Sequence, residues 1–368
     1  MALELELSQE DVRREIVRLS PWYYLFELKG IRTDITPPSD FHGHRVVQIP
    51  SELKPYFEGK TVLDVGCNEG GYTYSAINSG AESVEAFDVR PINIEKARFV
   101  ARVCGINNAT FHVASADSWL DENRTRHDIV LLCGLLYHLP DPWRTIAEYC
   151  ALAREGLWMT CVLHGGPEGY FEYYEEYCEG ELIAANADPS ERAMMPNTLR
   201  TLTAEFAKHR FFPTNLYESV FEEKGDHGCA TFFRNAQNWN ASPSSPYGRQ
   251  EGSVDIYFAP GNSSDTERDS SFEVILSLYN RAPKAHQARV KMTLVEQGSG
   301  ERRDIESQVV ELMARPSHRE MPPSCSLQVP VILDLSGFTK KVSLETTLED
   351  MERGGVLNQN SLLIDLQS

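Results

Sequence analysis

Hydrophobic positions follow two different periods along the chain. In residues 8–19, Val12, Ile16, Val17 and Leu19 are spaced by charges, and Ser8 with Asp11 three positions later is a helix-start signal, so a short amphipathic helix is expected. Pro21-Trp22-Tyr23-Tyr24 breaks it, and an aromatic extended segment runs through Phe26 and Leu28 towards Gly30. Apolar runs then alternate with helical spacing, predicting strands at 62–65, 83–87, 110–113, 127–132 and 156–163 and helices at 91–104 and 143–153. Continuous apolar runs alternating with helices read as a doubly wound, mostly parallel, Rossmann-like α/β sheet. A further helix is expected from Pro196-Asn197-Thr198-Leu199 through Ala207, followed by two antiparallel edge strands at 216–221 and 229–233.

From Asn238 the composition turns to Ser, Pro, Asn and Gly, which predicts a linker at 239–250. Beyond it the period is two, in short runs at 254–258, 272–279, 288–295, 305–312, 327–333, 342–347 and 362–366. No helix-length pattern interrupts them, so residues 251–368 are expected to form an antiparallel β-sandwich. Residues 1–50 then read as an N-terminal helix and aromatic cap, and 51–238 as the α/β domain with an insertion at 165–195.

A chain of 368 residues exceeds one ordinary core, consistent with two domains. The formal net charge of -19 disfavours a nucleic-acid partner, because a polyanion requires a basic footprint. The acidic N-terminus lacks a basic region and a long apolar core, and no run would span a bilayer, so a cytoplasmic protein without a membrane partner is expected. The eight cysteines lack C-x-x-C spacing, which predicts neither a zinc site nor a disulfide framework; with no other ligand set singled out, no metal is assigned.

The candidate chemistry begins at Val62-Leu63-Asp64-Val65-Gly66-Cys67-Asn68-Glu69-Gly70-Gly71-Tyr72-Thr73. An apolar run ends in an acid, turns through glycines and enters a helix, a turn built to hold a ligand. A dinucleotide fingerprint would need glycine where Asn68 stands, and a phosphate loop would need Gly-Lys-Ser/Thr. The next apolar strand ends in Asp88, followed by Val89, the place from which a carboxylate takes both ribose hydroxyls in nucleotide-binding α/β folds. The run resembles the first motif of class I S-adenosylmethionine-dependent methyltransferases in its D-x-G-C-N-x-G form. That resemblance implies S-adenosyl-L-methionine as cofactor, held by Asp64, Gly66, Cys67, Asn68, Gly70, Tyr72, Asp88, Val89, Cys133 and Leu135. By the same analogy Asp117 receives the adenine amine and Ala116 and Ser118 line the base; an alternative is that Asp117 only caps a helix.

Cys133-Gly134-Leu135-Leu136-Tyr137-His138-Leu139-Pro140 lies where the fourth strand ends. It resembles the L-Y-H segment of the wobble-uridine carboxymethyltransferase family, as do Trp22-Tyr23 and Met195-Pro196-Asn197-Thr198-Leu199, over roughly residues 20–235. In that family a basic residue following L-Y-H helps hold the extra carboxylate of a modified cofactor; Leu139 stands there, which favours ordinary S-adenosyl-L-methionine. His138, beside Tyr137, is the first candidate base and His164 the second, since an imidazole accepts a proton near neutral pH. From Glu168 to Glu181 the chain reads EGYFEYYEEYCEGE, whose Tyr170, Tyr173, Tyr174 and Tyr177 recur at helical spacing. A packed helix face, a lid over the acceptor and a metal-binding carboxylate cluster are the three readings. Trp22, Tyr23, His138, Tyr170, Tyr173 and Tyr177 are expected to bind acceptor, with Tyr137 and Glu172 beside the two histidines as catalytic candidates, and under the lid reading the unpaired glutamates favour a neutral or cationic acceptor.

The expected function is methyl transfer to a small molecule such as a natural product, sugar or nucleoside, by O-methylation. Alternatives are modification of a tRNA wobble uridine, C-methylation of an alkene or prenyl group, and non-catalytic binding or assembly through the β-sandwich. A homo-oligomer, formed through the sandwich, is also expected.

Overall fold

Ser8 opens the first helix, α1 (Gln9–Arg18), by a reciprocal cap: its hydroxyl accepts from Asp11 N at 3.2 Å, and the Asp11 carboxylate accepts from Ser8 N at 3.2 Å. Val12 and Ile16, one turn apart, are fully buried. The structure, a computed structural model, describes residues 7–39, 44–165, 169–174, 193–221, 226–236, 239–243, 254–261, 271–282, 284–314 and 326–367. Its residues divide into two compact units, one built from the chain up to 140 with 152–154, the other from 141–151, 155–175 and 193 onward.

In the first unit the two-residue strands β1 (Glu27–Leu28) and β2 (Ile31–Arg32) pair about Lys29 and Gly30, and a short helix α2 (Lys54–Phe57) follows. The α/β alternation then runs β3 (Thr61–Val65), α3 (Gly71–Asn78), β4 (Ser83–Asp88), α4 (Pro91–Cys104), β5 (Ala109–Val113), α5 (Ala116–Glu122) and β6 (His127–Cys133). These four strands are parallel in the order β6-β3-β4-β5, with Leu63 level with Val130 on one side and Glu85 on the other. Val62 to Val65 are at most 1% exposed, which is why the run is continuous rather than alternating. The chain builds outward from β3 through β4 and β5 and returns to its other side with β6. Such a reversal opens a crevice at the carboxyl ends of β3, β4 and β6, where α/β folds bind ligands.

Further along lie α6 (Pro142–Leu152), β7 (Ala153–Leu163), β8 (Phe171–Tyr174), β9 (Ala193–Pro196), α7 (Leu199–Lys208), β10 (Phe211–Phe221) and β11 (Asp226–Asn235). As the sequence predicts, β10 and β11 are antiparallel to each other, and β11 is antiparallel to β7. The helix face expected around Tyr170 is corrected: residues 171–174 form a strand paired with β9, and Tyr170 and Tyr173 are 61% and 64% exposed. Aromatic residues suit a pleated strand better than a helix, and the spacing of the tyrosines did not weigh that. Tyr177, Glu176 and Glu181 lie outside the described residues.

The C-terminal strands are β12 (Ala241–Pro243), β13 (Val254–Pro260), β14 (Ser271–Asn280), β15 (His286–Glu296), β16 (Arg302–Leu312), β17 (Ser326–Asp334), β18 (Lys341–Asp350) and β19 (Val356–Asp365). They form two antiparallel sheets, β13-β14-β17 and β12-β19-β18-β15-β16, whose inward residues, among them Ile256, Leu276, Val290, Leu344 and Leu362, share one core. β12, within the stretch expected as linker, pairs Ser242 with Leu363. Within the second unit the three-stranded sheet lies along β10: Ser277 Oγ donates to Thr214 O at 2.7 Å and Leu216 N to Ser326 Oγ at 3.1 Å. Arg200 of α7 also reaches β13, with its Nε 3.1 Å from Asp255 Oδ2; the two side chains are 5% and 1% exposed. Among the described residues no helix is long and apolar enough to cross a membrane.

Candidate functional site

Asp64, near the end of β3, is buried, and Thr73 Oγ1 of α3 donates to its Oδ2 at 2.6 Å. Burial pushes the Asp64 carboxyl from an ordinary 3.8 up to about 7, against the pull of the Thr73 hydrogen bond. The loop after β3 then places three residues of five in the left-handed region: Gly66 at φ 70°, Asn68 at 52° and Gly70 at 86°. Glycine at 66 and 70 is demanded twice over. A Cβ on Gly66 would come 3.1 Å from Leu135 Cδ1, and one on Gly70 would come 2.8 Å from the Tyr74 ring.

Asp88, 4% exposed at the end of β4, holds this loop in shape. Its Oδ2 accepts from Asn68 N at 2.9 Å, and its Oδ1 from Arg90 N at 2.9 Å and Asn93 Nδ2 at 3.1 Å. Cys67 N donates to Phe87 O at 2.8 Å, so the loop is stitched along the end of β4. The residue read as a ribose ligand is thus also the loop's organiser, and Oδ2 keeps one acceptor direction beyond Asn68. Cys67 itself is 3% exposed, its thiol pushed well above the ordinary value by burial, which leaves it as packing. Tyr72 and Val89 are half-buried.

At the start of α5 the structure identifies the cap. Ser115, not Asp117, is the cap: its hydroxyl accepts from Ser118 N at 3.1 Å, and Ser118 Oγ accepts from Ser115 N at 2.9 Å. Asp117 stands exposed in the first turn beside half-buried Ala116. Ser118, expected to line the base, has its hydroxyl committed to the cap. β6 ends in buried Cys133 and, past Gly134, buried Leu135; one 3-10 turn, Leu136–His138, then carries Tyr137 and His138 with ring centroids 4.2 Å apart.

Two further expectations concern the N-terminal segment. Trp22 is 0% exposed, donates its indole N–H to Ile16 O at 2.8 Å and packs on Phe26 and Phe99, so it is core rather than an open acceptor wall. Tyr23 is half-buried, with the Arg45 guanidinium 5.3 Å over its ring. Glu69, missed in the sequence, is buried inside the glycine loop and faces this segment.

In the second unit the structure brings together two candidates that the sequence named separately. His164 Nδ1 lies 3.4 Å from Glu172 Oε2, and Glu172 Oε1 accepts from Asn197 Nδ2 at 2.8 Å. Backbone bonds set this up: His164 N donates to Pro196 O at 2.9 Å, and Gly165 N to Asn197 O at 3.0 Å. Asn197 was noticed only as part of a motif; its amide fixes the carboxylate. Nearby, the rings of Trp143 and Phe171 are 4.8 Å apart.

Comparison with known proteins agrees with this architecture. Residues 57–202 match the family described as "Methyltransferase domain". The tRNA U34 carboxymethyltransferase of Pseudomonas fluorescens (strain Pf0-1) is 30% identical over 162 residues, 43% of this chain and 46% of the relative. The ubiquinone biosynthesis O-methyltransferase of Aromatoleum aromaticum is 33% identical over 132 residues, 31% of this chain and 54% of the relative. The chain therefore spans about half the length of these curated relatives. Among solved structures, the N-terminal domain of EvdMO1 with SAH bound aligns with a TM-score of 0.52 at 22% identity, over 62% of this chain and 98% of that one, and shares the fold. With the crevice at the β3 switch point and the family match over the same residues, the chain carries a class I S-adenosylmethionine-dependent methyltransferase domain.

Proposed function

We propose that the chain transfers a methyl group from S-adenosyl-L-methionine to a hydroxyl of a small-molecule acceptor. The hydroxyl assignment rests on one observation: the 3-10 turn after β6 sets His138 beside Tyr137 at the carboxyl end of the sheet, in the same unit as the glycine loop. An imidazole placed there takes the proton of an attacking hydroxyl near neutral pH.

The cofactor, when bound, supplies an electrophilic methyl group. Displacement at that carbon requires alignment, and for an alcohol it requires that a proton leave as the oxygen attacks. The residues of the first unit fit the cofactor on the strength of the loop itself: three left-handed positions, two of them glycines closely approached by Leu135 and Tyr74, bring bare backbone to the crevice. Gly66, Asn68 and Gly70 would meet its amino acid portion, Asp88 its ribose hydroxyls and Asp117 its adenine amine, with Cys133 and Leu135 packing beside it. The relative's name in ubiquinone biosynthesis supports O-methylation. A second reading, tRNA wobble modification, is supported by the carboxymethyltransferase relatives and opposed by the charge of -19 and by buried Leu139.

The test is mass-detected methyl transfer to a panel of hydroxylated small molecules and to tRNA, with His164→Gln, Glu172→Gln and His138→Gln compared. Loss of the base is expected to lower kcat about 10²–10⁴-fold in His138→Gln with cofactor affinity unchanged, His164→Gln and Glu172→Gln serving as comparisons. Product on tRNA alone, or wild-type turnover by His138→Gln, would overturn the reading.

A further inference from the structure

Glu69 sits between Asn68 and Gly70, in the middle of the loop, and is 1% exposed. Three donors from within the chain reach its two carboxylate oxygens. Tyr23 N lies 2.9 Å from Oε1 and 3.0 Å from Oε2, Tyr24 N donates to Oε2 at 2.9 Å, and Lys96 Nζ donates to Oε1 at 2.7 Å. Lys96 is 5% exposed on its side chain, also donates to Pro21 O, and lies 5.4 Å from the centre of the Trp22 ring. One carboxylate thus clasps three pieces of chain: the glycine loop, helix α4 and the segment Pro21–Tyr24. The next residue is fitted to the same segment, since a Cβ on Gly71 would come 2.8 Å from the Tyr24 ring.

We infer that Glu69 and Lys96 are positioning residues for the cofactor loop: they lock the N-terminal aromatic segment onto it so that loop and segment order as one body. Glu69 is 1% exposed and its bonds run to Tyr23, Tyr24 and Lys96, so its effect on binding is exerted through that segment. The inference rests on the reading of the loop as the S-adenosylmethionine site. A loop that samples its binding shape only a fraction of the time binds more weakly by that fraction. Gln at 69 cannot replace Glu, because its amide nitrogen would turn a donor toward a donor and Lys96 would lose its counter-charge.

Calorimetry with S-adenosylhomocysteine, at a temperature where every protein is folded, compares the wild type with Glu69→Gln, Lys96→Met and Lys96→Arg, and hydrogen exchange is followed in peptides covering 20–26 and 66–72. Glu69→Gln and Lys96→Met should bind about 10–100-fold more weakly and exchange faster in both peptides, Lys96→Arg should stay within about threefold of the wild type, and kcat at saturating cofactor should change little. A purely structural role would lower Tm without moving Kd in folded protein. Should Glu69→Gln fail to fold, Lys96→Met, which leaves the two amide bonds in place, carries the same threshold. A dissociation constant within twofold of wild type overturns the inference, whereas absence of heat with the wild type overturns the assignment of the cofactor site instead.

Discussion

Asp64 makes stability depend on pH in a direction opposite to that of most carboxylates. In the unfolded chain its carboxyl titrates near 3.8, and in the folded protein burial raises it to about 7. Between these values the folded state holds a proton that the unfolded chain has released, so stability falls as pH rises. The contribution is fully present below about pH 4 and is lost as pH climbs through 7. A displacement of about three pH units at about 1.4 kcal/mol each sets a ceiling of about 4 kcal/mol, which water entering the loop would reduce. Asp64→Asn is the sharp perturbation, because asparagine has the size of the neutral acid, still accepts from Thr73 Oγ1 and does not titrate. Thermal midpoints of the two proteins, compared pairwise at pH 5, 6.5 and 8, cancel the other titrating groups, including Asp128, whose carboxyl is lowered by its hydrogen bonds from Thr61 and its pairing with Arg154. The variant should gain on the wild type steadily towards pH 8. Parallel curves would refute the argument that burial, rather than the Thr73 bond, governs this carboxyl.

The two ends of α5 and α7 offer independent checks. Ser115→Ala should cost about 1 kcal/mol of stability and leave S-adenosylhomocysteine affinity alone, whereas Asp117→Asn should weaken that affinity several-fold with Tm unchanged; a reversal of the two results would return Asp117 to a capping role. Arg200→Ala removes the buried guanidinium paired with Asp255, leaving Arg281 at 3.2 Å and Tyr257 OH at 3.4 Å among the described residues, and should destabilise the protein by about 3–5 kcal/mol in urea titration while speeding proteolytic release of the C-terminal strands. An unaltered midpoint would mean the sandwich does not depend on that pair.

What could be read from the sequence was what is locally encoded. The capping box at Ser8, the helix from Pro91 to Cys104, the left-handed turn after Asp64 and the acid closing β4 each follow from residues close together in the chain. The β-sandwich followed from period two, visible in β18, where Val342, Leu344, Thr346 and Leu348 are buried in turn. Reading failed where two periods compete or where partners are distant. Aromatic residues at 170–174 satisfy a helical spacing by accident while their strand preference decides the outcome. His164 and Glu172 could be named but not joined, since the strand pairing of β8 with β9 that seats Asn197 beside them lies outside any local pattern.

One signal was nevertheless present. Lys96 belongs to the buried face of α4 with Asn93, Ile94, Ala97 and Val100, and Arg200 to that of α7 with Leu202, Thr203 and Phe206. A charge in a buried stripe is costly unless another part of the chain supplies an opposite charge and hydrogen bonds, so its position alone requires a remote partner. Lys96 finds Glu69 and Arg200 finds Asp255, and each pair adds a polar tie between segments that also meet through apolar contacts: the N-terminal segment with the cofactor loop and α4, and β13 with α7. Hydrophobic burial tolerates many alignments, whereas a buried carboxylate bonded to donors on two separate segments tolerates few. The polar exceptions within apolar stripes therefore fix where the aromatic segment meets the glycine loop, and it is through that registration that a residue without room for a ligand governs the site.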